Sequence, residues 1–158
     1  MTELLKSSSP EETRLFAGRL AAHAQAGDII ALSGDLGAGK TVFAKGFAEG
    51  LGFPYPDEVV SPTFTLMQVY EGGRLPLYHF DVYRMADASE AEAIGIDEYL
   101  FGEGVCLIEW AVRIEEILPK ERVTRVTIRR DEAGGENDRM MEIHYADAVC
   151  SRIGSEDA

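Results

Sequence analysis

Cysteine, long apolar runs and positive charge are all scarce in this sequence of 158 residues. Cys106 and Cys150 have neither the number nor the spacing of a disulfide framework or a metal-binding cluster. No run approaches the roughly 18 apolar residues of a membrane-spanning helix, and the first residues, MTELLKSSSPEE, lack the basic start and apolar centre of a signal peptide. We therefore expect a cytoplasmic protein without a membrane partner.

The charge balance is strongly acidic, with 15 Lys and Arg against 28 Asp and Glu and a net charge of −13. Proteins bind nucleic acid largely by neutralising its phosphates with Lys and Arg. The densest basic cluster, Arg125, Arg129 and Arg130 in VTRVTIRR, is typical of the solvent-facing side of a strand. We therefore expect no direct binding of nucleic acid by this chain.

A glycine-rich stretch, GDLGAGKT, fits the spacing G-x-x-x-x-G-K-[ST] of the phosphate-binding loop, or P-loop. These residues, 34–41, which we call the glycine-rich loop, follow an apolar strand pattern and precede a helical pattern. Glycines let backbone N–H groups turn toward an anion, and the helix that follows contributes its positive end. In such a loop Lys40 binds the β- and γ-phosphates and the Thr41 hydroxyl binds Mg²⁺. The residues predicted to bind the nucleotide are Gly34, Asp35, Leu36, Gly37, Ala38, Gly39, Lys40 and Thr41.

Helix and strand patterns alternate along the rest of the chain. A first helix is predicted after the N-cap Ser9, with Pro10 at its first position, and AVRIEEILP is predicted as a helix ending at Pro119. TFTLMQVY with LPLYHFDVYR, and RVTRVTIRR with DRMMEIHYAD, are typical of two hairpins. The predicted buried face of the first helix consists of Leu15, Phe16, Leu20 and Ala24.

This order of elements predicts an α/β fold. We expect a P-loop NTPase-like three-layer domain with a mixed sheet that contains antiparallel hairpins. The length favours a single P-loop domain over residues 1–150, followed by a short flexible tail over residues 151–158. The glycine-rich loop belongs at the carboxyl end of its strand, so other site residues are expected at strand ends on that side.

Two carboxylates are candidates for completing the site. Glu109 ends the buried strand pattern VCLI, where P-loop enzymes place the acidic residue that holds Mg²⁺. The alternative for Glu109 is an acidic residue favoured by the dipole of the helix that follows. Asp81 shares one strand face with His79 and Tyr83, which is either part of a site or the solvated side of a half-exposed sheet.

Hydroxyl and aromatic side chains near these positions are further candidates. Thr63 and Thr65 lie on a proline-marked loop, from which a hydroxyl can approach the γ-phosphate and Mg²⁺ as switch-loop threonines do. The alternative is that both are ordinary threonines of a strand without a functional role. Trp110 is a candidate for stacking on a base or a partner, and its alternative role is packing.

Taken together, GDLGAGKT, SPTFT, HFDVYR and LIEW resemble the TsaE (YjeE) family in order and separation, from the first helix to Pro119. The resemblance implies a small bacterial P-loop ATPase that uses ATP and Mg²⁺. It also implies TsaD and TsaB proteins as partners in making N6-threonylcarbamoyladenosine on tRNA. Catalytic roles are implied for Lys40, Asp81 and Glu109, of which Asp81 or Glu109 would orient the attacking water. Nucleotide contacts are expected from Thr63 and Trp110, and Mg²⁺ ligands from Thr41 and Glu109.

One position departs from the family pattern, and other functions fit the same loop. Proline usually follows the E-W pair in the family, whereas this chain has Ala111 and then Val112. A small-molecule kinase normally needs an arginine-bearing lid, and the isolated Arg84 and Arg113 do not form one. The N-K-x-D pattern of a GTPase is absent from the sequence. A nucleotide-switched binding module with little turnover is the other alternative.

Overall fold

The structure is a computed structural model that describes residues 1–35 and 37–156, so the prediction for Leu36 lies outside the described residues. The strands are β1 Thr2–Ser7, β2 Ile29–Gly34, β3 Met67–Tyr70, β4 Leu77–Asp81, β5 Val105–Glu109, β6 Val123–Arg130 and β7 Arg139–His144. The helices are α1 Pro10–Ala22, α2 Lys40–Gly50, α3 Ala88–Ala93, α4 Ile96–Leu100 and α5 Asp147–Glu156.

All of these strands belong to one mixed sheet, in the order β1-β7-β6-β2-β5-β4-β3. The central strands β6, β2, β5 and β4 run parallel to one another. Antiparallel pairing adds β3 at one edge and β7 with β1 at the other. Because the central strands are parallel, their carboxyl ends meet at one edge of the sheet, where ligands of such folds bind.

Helical segments cover both faces of the sheet and complete three layers. On one face, Phe43 and Phe47 of α2 pack with Leu32 and Leu107 of the sheet and with α1. On the other face, α3, α4 and a 3₁₀ segment, Ala111–Ile117, bury apolar side chains against the sheet. The predicted three-layer α/β fold with a mixed sheet and hairpins is confirmed.

Regular structure near both ends of the chain was not predicted. Strand β1 pairs with β7 from Thr2 opposite His144 to Ser7 opposite Arg139. Residues 151–156, part of the predicted flexible tail, form the end of α5, and the final two residues lie outside the described residues. Arg152 of α5 binds Asp28, with Nη2 2.6 Å from Oδ2.

The predicted buried face of α1 was partly wrong. Ser9 caps the helix as expected and accepts a hydrogen bond from the backbone N–H of Glu12. Leu15, however, is 53% exposed, because α1 meets α2 through small residues instead. A Cβ added at Gly50 of α2 would lie only 2.6 Å from the Cα of Gly18 in α1. The buried residues of α1 are Thr13, Ala17, Leu20 and Ala21.

The segment AVRIEEILP is not the regular helix that was predicted. It forms a 3₁₀ segment, Ala111–Ile117, which is interrupted at Ile114 with φ −126°. Ile114 is buried under the sheet, and a continuous α-helix does not accommodate its backbone conformation. In the part of the chain that the structure describes, no helix has the length and apolar character needed to cross a membrane.

Candidate functional site

The glycine-rich loop connects β2 to α2 through conformations that favour glycine. Gly37 has φ 79° and Gly39, the N-cap of α2, has φ 109°. Gly34 has no room for a side chain, since an added Cβ would lie 2.7 Å from the carbonyl oxygen of Ile128. The backbone N–H of Ala38 donates to the carbonyl of Asp35 across 2.9 Å. The loop therefore leads directly into the N-terminus of α2, where backbone N–H groups are unpaired.

A cleft of about 660 Å³ lies between the glycine-rich loop and the carboxyl ends of β4 and β5. It brings together most of the predicted site. Asp35 is exposed and Ala38 is buried, and neither lines the cleft, while Gly34 lines a smaller pocket shared with Lys40 and Trp110. The predicted site residues that line the cleft are Gly37, Gly39, Lys40, Thr41, Thr63, Asp81, Glu109 and Trp110.

Glu109 is a buried carboxylate that contacts the cleft residues Lys40 and Ser61 and the buried His79. Its Oε2 accepts a hydrogen bond from Ser61 Oγ at 3.1 Å and lies 2.9 Å from His79 Nε2. Its Oε1 lies 3.8 Å from Nζ of Lys40. Burial raises the pKa of Glu109, but the hydrogen bond to His79, the charge of Lys40 and the Ser61 hydroxyl outweigh that effect and lower the pKa. Glu109 is therefore ionised and paired with the loop lysine at neutral pH.

Asp81 lies beside Glu109, because the two residues are register partners at the ends of β4 and β5. Its Oδ1 accepts from the backbone N–H of Tyr83 at 3.0 Å, and its Oδ2 accepts from the Thr63 hydroxyl at 3.4 Å. Asp81 and His79 are buried, so the alternative of a solvated strand face is wrong for them. Thr65 is exposed, accepts a hydrogen bond from Gln68 and does not line the cleft.

Trp110 forms one wall of the cleft in an unusual backbone conformation. Its φ of 63° is left-handed, which non-glycine residues seldom adopt and which is concentrated at functional sites. Trp110 is 41% exposed, its ring centroid lies 4.7 Å from that of Tyr83, and Nζ of Lys40 lies 5.5 Å from the Trp110 centroid. Ala111 begins the 3₁₀ segment directly afterwards, at the position where the family usually has proline.

The donor set of the cleft fits Mg²⁺ bound together with phosphates. Mg²⁺ prefers oxygen ligands and is commonly held by one or two carboxylates, water and substrate phosphates. The hydroxyl of Thr41 and the carboxylate of Glu109 line the same cleft, and Asp81 adjoins them. A closed cage of protein ligands is not required for this mode of binding.

The sequence did not single out three residues that contact this site. Arg139 donates from Nε to the carbonyl of Ala38 at 2.9 Å and from Nη2 to that of Gly37 at 3.3 Å. Arg130, expected on a solvated strand face, donates to Gly37 at 3.4 Å. The third is Ser61, described above. The parallel pairing of β2 with β6 brings the β6–β7 hairpin next to the loop, and no local sequence signal marks these arginines.

Comparisons with known proteins identify the family. The sequence profile described as "Threonylcarbamoyl adenosine biosynthesis protein TsaE" matches residues 7–141. A Bacillus subtilis protein named tRNA threonylcarbamoyladenosine biosynthesis protein TsaE is 56% identical over 125 residues, which cover 79% of this chain and 76% of that protein. A Treponema pallidum protein of the same name is 45% identical over 118 residues, which cover 75% of this chain and 85% of that protein. The crystal structure of Bacillus subtilis YdiB matches with a TM-score of 0.76 and 41% identity, covering 100% of this chain and 97% of that one. The chain therefore belongs to the TsaE family.

Proposed function

We propose that this chain is an Mg²⁺-dependent ATPase that acts in bacterial tRNA N6-threonylcarbamoyladenosine biosynthesis together with TsaD and TsaB proteins. The relatives above carry the name of that biosynthesis. The observation that carries the ATPase assignment is the cleft itself. In it the loop lysine, the loop threonine and two buried carboxylates from neighbouring strands line one space at the carboxyl edge of the sheet.

The binding role follows from the loop. Backbone N–H groups at the start of α2 and the ammonium of Lys40 would hold the β- and γ-phosphates. Lys40 now faces Glu109 at 3.8 Å, so it is already inside the cleft and needs only a local change of side-chain conformation to meet a phosphate. Arg139 and Arg130 donate to the loop carbonyls and hold the loop in place, and Arg139 also lines the cleft.

The hydrolytic role belongs to the two carboxylates. Thr41 and Glu109 would hold Mg²⁺, which neutralises charge that develops on the phosphates. Asp81 or Glu109 would accept a hydrogen bond from the attacking water and orient it toward the γ-phosphate. Thr63 donates to Asp81 and lies in the same cleft, so its position would respond to the presence of the γ-phosphate.

The partner role accounts for the acidic surface. A net charge of −13 disfavours direct contact with tRNA, so the partner proteins would hold the RNA. Nucleotide binding and hydrolysis in this chain would then change its contact with those proteins.

The test measures ATP hydrolysis by the purified chain alone and with TsaB and TsaD proteins from the same organism. Partner-dependent hydrolysis should fall about 100- to 1,000-fold in Lys40→Ala, because a preorganised cation at the phosphates is lost. Lys45→Ala is the matched control, since Lys45 is one turn further along α2 and donates to the carbonyl of Asp57. It should hydrolyse ATP normally.

Other outcomes separate the alternatives. Tight ATP binding with negligible turnover in every mixture would favour the nucleotide-switched binding module. Transfer of labelled phosphate from ATP to a small metabolite would favour the kinase. Absence of both stimulation and complex formation would contradict the proposed partnership.

A further inference from the structure

A buried imidazole, His79, adjoins the cleft but does not line it. It lies on β4 two residues before Asp81 and is 0% exposed. Its register partner is Leu107 on β5, and Glu109 follows on the same face of that strand. Nε2 of His79 lies 2.9 Å from Oε2 of Glu109. Nδ1 is buried and has no hydrogen-bond partner among the described residues.

These contacts determine which ring nitrogen carries the proton. A carboxylate can only accept hydrogen bonds, so the contact with Glu109 requires a proton on Nε2. The geometry therefore has His79 donating Nε2–H to Oε2 of Glu109.

The consequence for Glu109 is a difference between its two oxygens. Oε2 accepts hydrogen bonds from His79 and Ser61, whereas Oε1 faces Lys40 at 3.8 Å. Rotation of the carboxylate would break both hydrogen bonds to Oε2. Ser61 belongs to an irregular segment before β3, while His79 lies within a central parallel strand. The more rigidly held of the two donors is thus His79.

We propose that His79 is the positioning residue of this site: its Nε2–H holds Oε2 of Glu109 and thereby presents Oε1 to the cleft. The proposal rests on the ATPase function proposed above, in which Oε1 serves Mg²⁺ or the attacking water. Residues that orient a metal-binding side chain commonly change metal affinity or activity about 10- to 100-fold when they are removed.

The first experiment uses the protein without nucleotide and does not depend on activity. Correlation NMR of protein labelled with ¹⁵N-histidine should show a proton on Nε2 of His79. Glu109→Gln should shift the Nε2 resonance, since the charged acceptor is removed. Absence of a proton on Nε2, or an unchanged Nε2 resonance in Glu109→Gln, would overturn the proposal.

The second experiment compares two substitutions of similar size in the presence of the partner proteins. Gln can place an amide N–H near the position of Nε2, whereas Leu cannot donate at all. His79→Leu should lower kcat about 10- to 100-fold with little change in KM for ATP, and His79→Gln should retain most of kcat. Urea unfolding establishes that both variants are folded.

The outcomes distinguish this proposal from the function on which it rests. Equal losses in both variants, or a change in KM alone, would contradict a positioning role. If the unsubstituted protein hydrolyses no ATP with its partners, the proposed function fails, whereas the NMR result still decides whether His79 donates to Glu109. If both variants unfold, the NMR measurement on the unsubstituted protein decides the question alone.

Discussion

At the scale of single residues, the main feature of the site is a pair of buried carboxylates on adjacent strands. Asp81 and Glu109 are register partners, and each has at least one oxygen bound to a hydroxyl of the segment before β3. Buried carboxylates require hydrogen-bond donors or cations that compensate for lost hydration. Both therefore depend on their contacts with that segment.

Asp81→Asn tests the role of the second carboxylate. The substitution keeps the shape of the side chain but removes its charge, and partner-dependent ATP hydrolysis should fall at least about 10-fold if Asp81 orients the water or a proton. The control is Asp87→Asn, because Asp87 is the exposed N-cap of α3 and Asn caps helices equally well. Normal hydrolysis by Asp81→Asn would show that Glu109 acts without Asp81.

Site residues that belong to a recognisable sequence pattern could be predicted from the sequence. Lys40 and Thr41 follow from the glycine pattern, and Glu109 follows from its place after a buried strand. The proximity of His79, Ser61 and Glu109 could not be predicted in this way, since it depends on which strands are neighbours. Arg139 lies 101 residues from Ala38 in the chain, and only the hairpin's position in the sheet brings them into contact.

At the scale of elements, the packing of α1 on α2 depends on glycine. Gly18 and Gly50 face each other, and an added Cβ at Gly46 would overlap the backbone of Arg14. The helices are therefore closer than side chains would allow, and α2 begins at Lys40 of the site. The orientation of the loop's helix is thus supported by α1.

Gly46→Ala and Gly18→Ala form a matched pair for this contact. Gly46→Ala should lower the free energy of unfolding by about 1 to 3 kcal/mol, because the helix backbones must separate. An added Cβ at Gly18 would lie 3.5 Å from its nearest neighbour, an ordinary contact. Gly18→Ala should therefore be neutral or stabilising by up to about 1 kcal/mol through helix propensity. Equilibrium urea unfolding measures both, and equal effects would contradict this account of the interface.

Elements with strong local patterns were predicted, and those that depend on distant partners were not. Strands β2, β4 and β5 have buried apolar runs, and both predicted hairpins are present, although β3 begins at Met67 rather than at Thr63 as predicted. Strand β1 has mostly exposed side chains and its partner is at the other end of the chain. The 3₁₀ segment Ala111–Ile117 has helical spacing in the sequence, but its backbone leaves helical conformation at the buried Ile114.

At the scale of the whole molecule, the chain is strongly acidic, and several of its arginines bind groups of the same chain. Many guanidinium groups bind acceptors of this chain rather than facing solvent unpaired. Arg14 binds Asp57 and Glu49, Arg74 binds carbonyls of α1, and Arg152 binds Asp28. These arginines are thus engaged within the chain, and the net charge of −13 disfavours a polyanion.

The chain alone should therefore bind tRNA only weakly. Non-specific binding by proteins with suitable cations has dissociation constants of about 10⁻⁴ to 10⁻⁶ M at physiological salt, and we expect weaker binding here. Titration of labelled tRNA with the purified chain, followed by fluorescence anisotropy, measures this directly. A dissociation constant below about 10⁻⁶ M that rises steeply with salt concentration would show that a basic surface exists despite the net charge.

The pairing of β1 with β7 has a consequence for the protein's synthesis. Thr2 and His144 are hydrogen-bonded partners 142 residues apart, so β1 leaves the ribosome long before its partner strand is made. Until then, the backbone groups of β1 have no neighbour in the sheet, and loop closure over this distance is slow. The contacts among β2, β4 and β5 do not require β7, whereas the β1 edge of the sheet does. Completion of this edge of the sheet thus waits until residues 139–144 have been made.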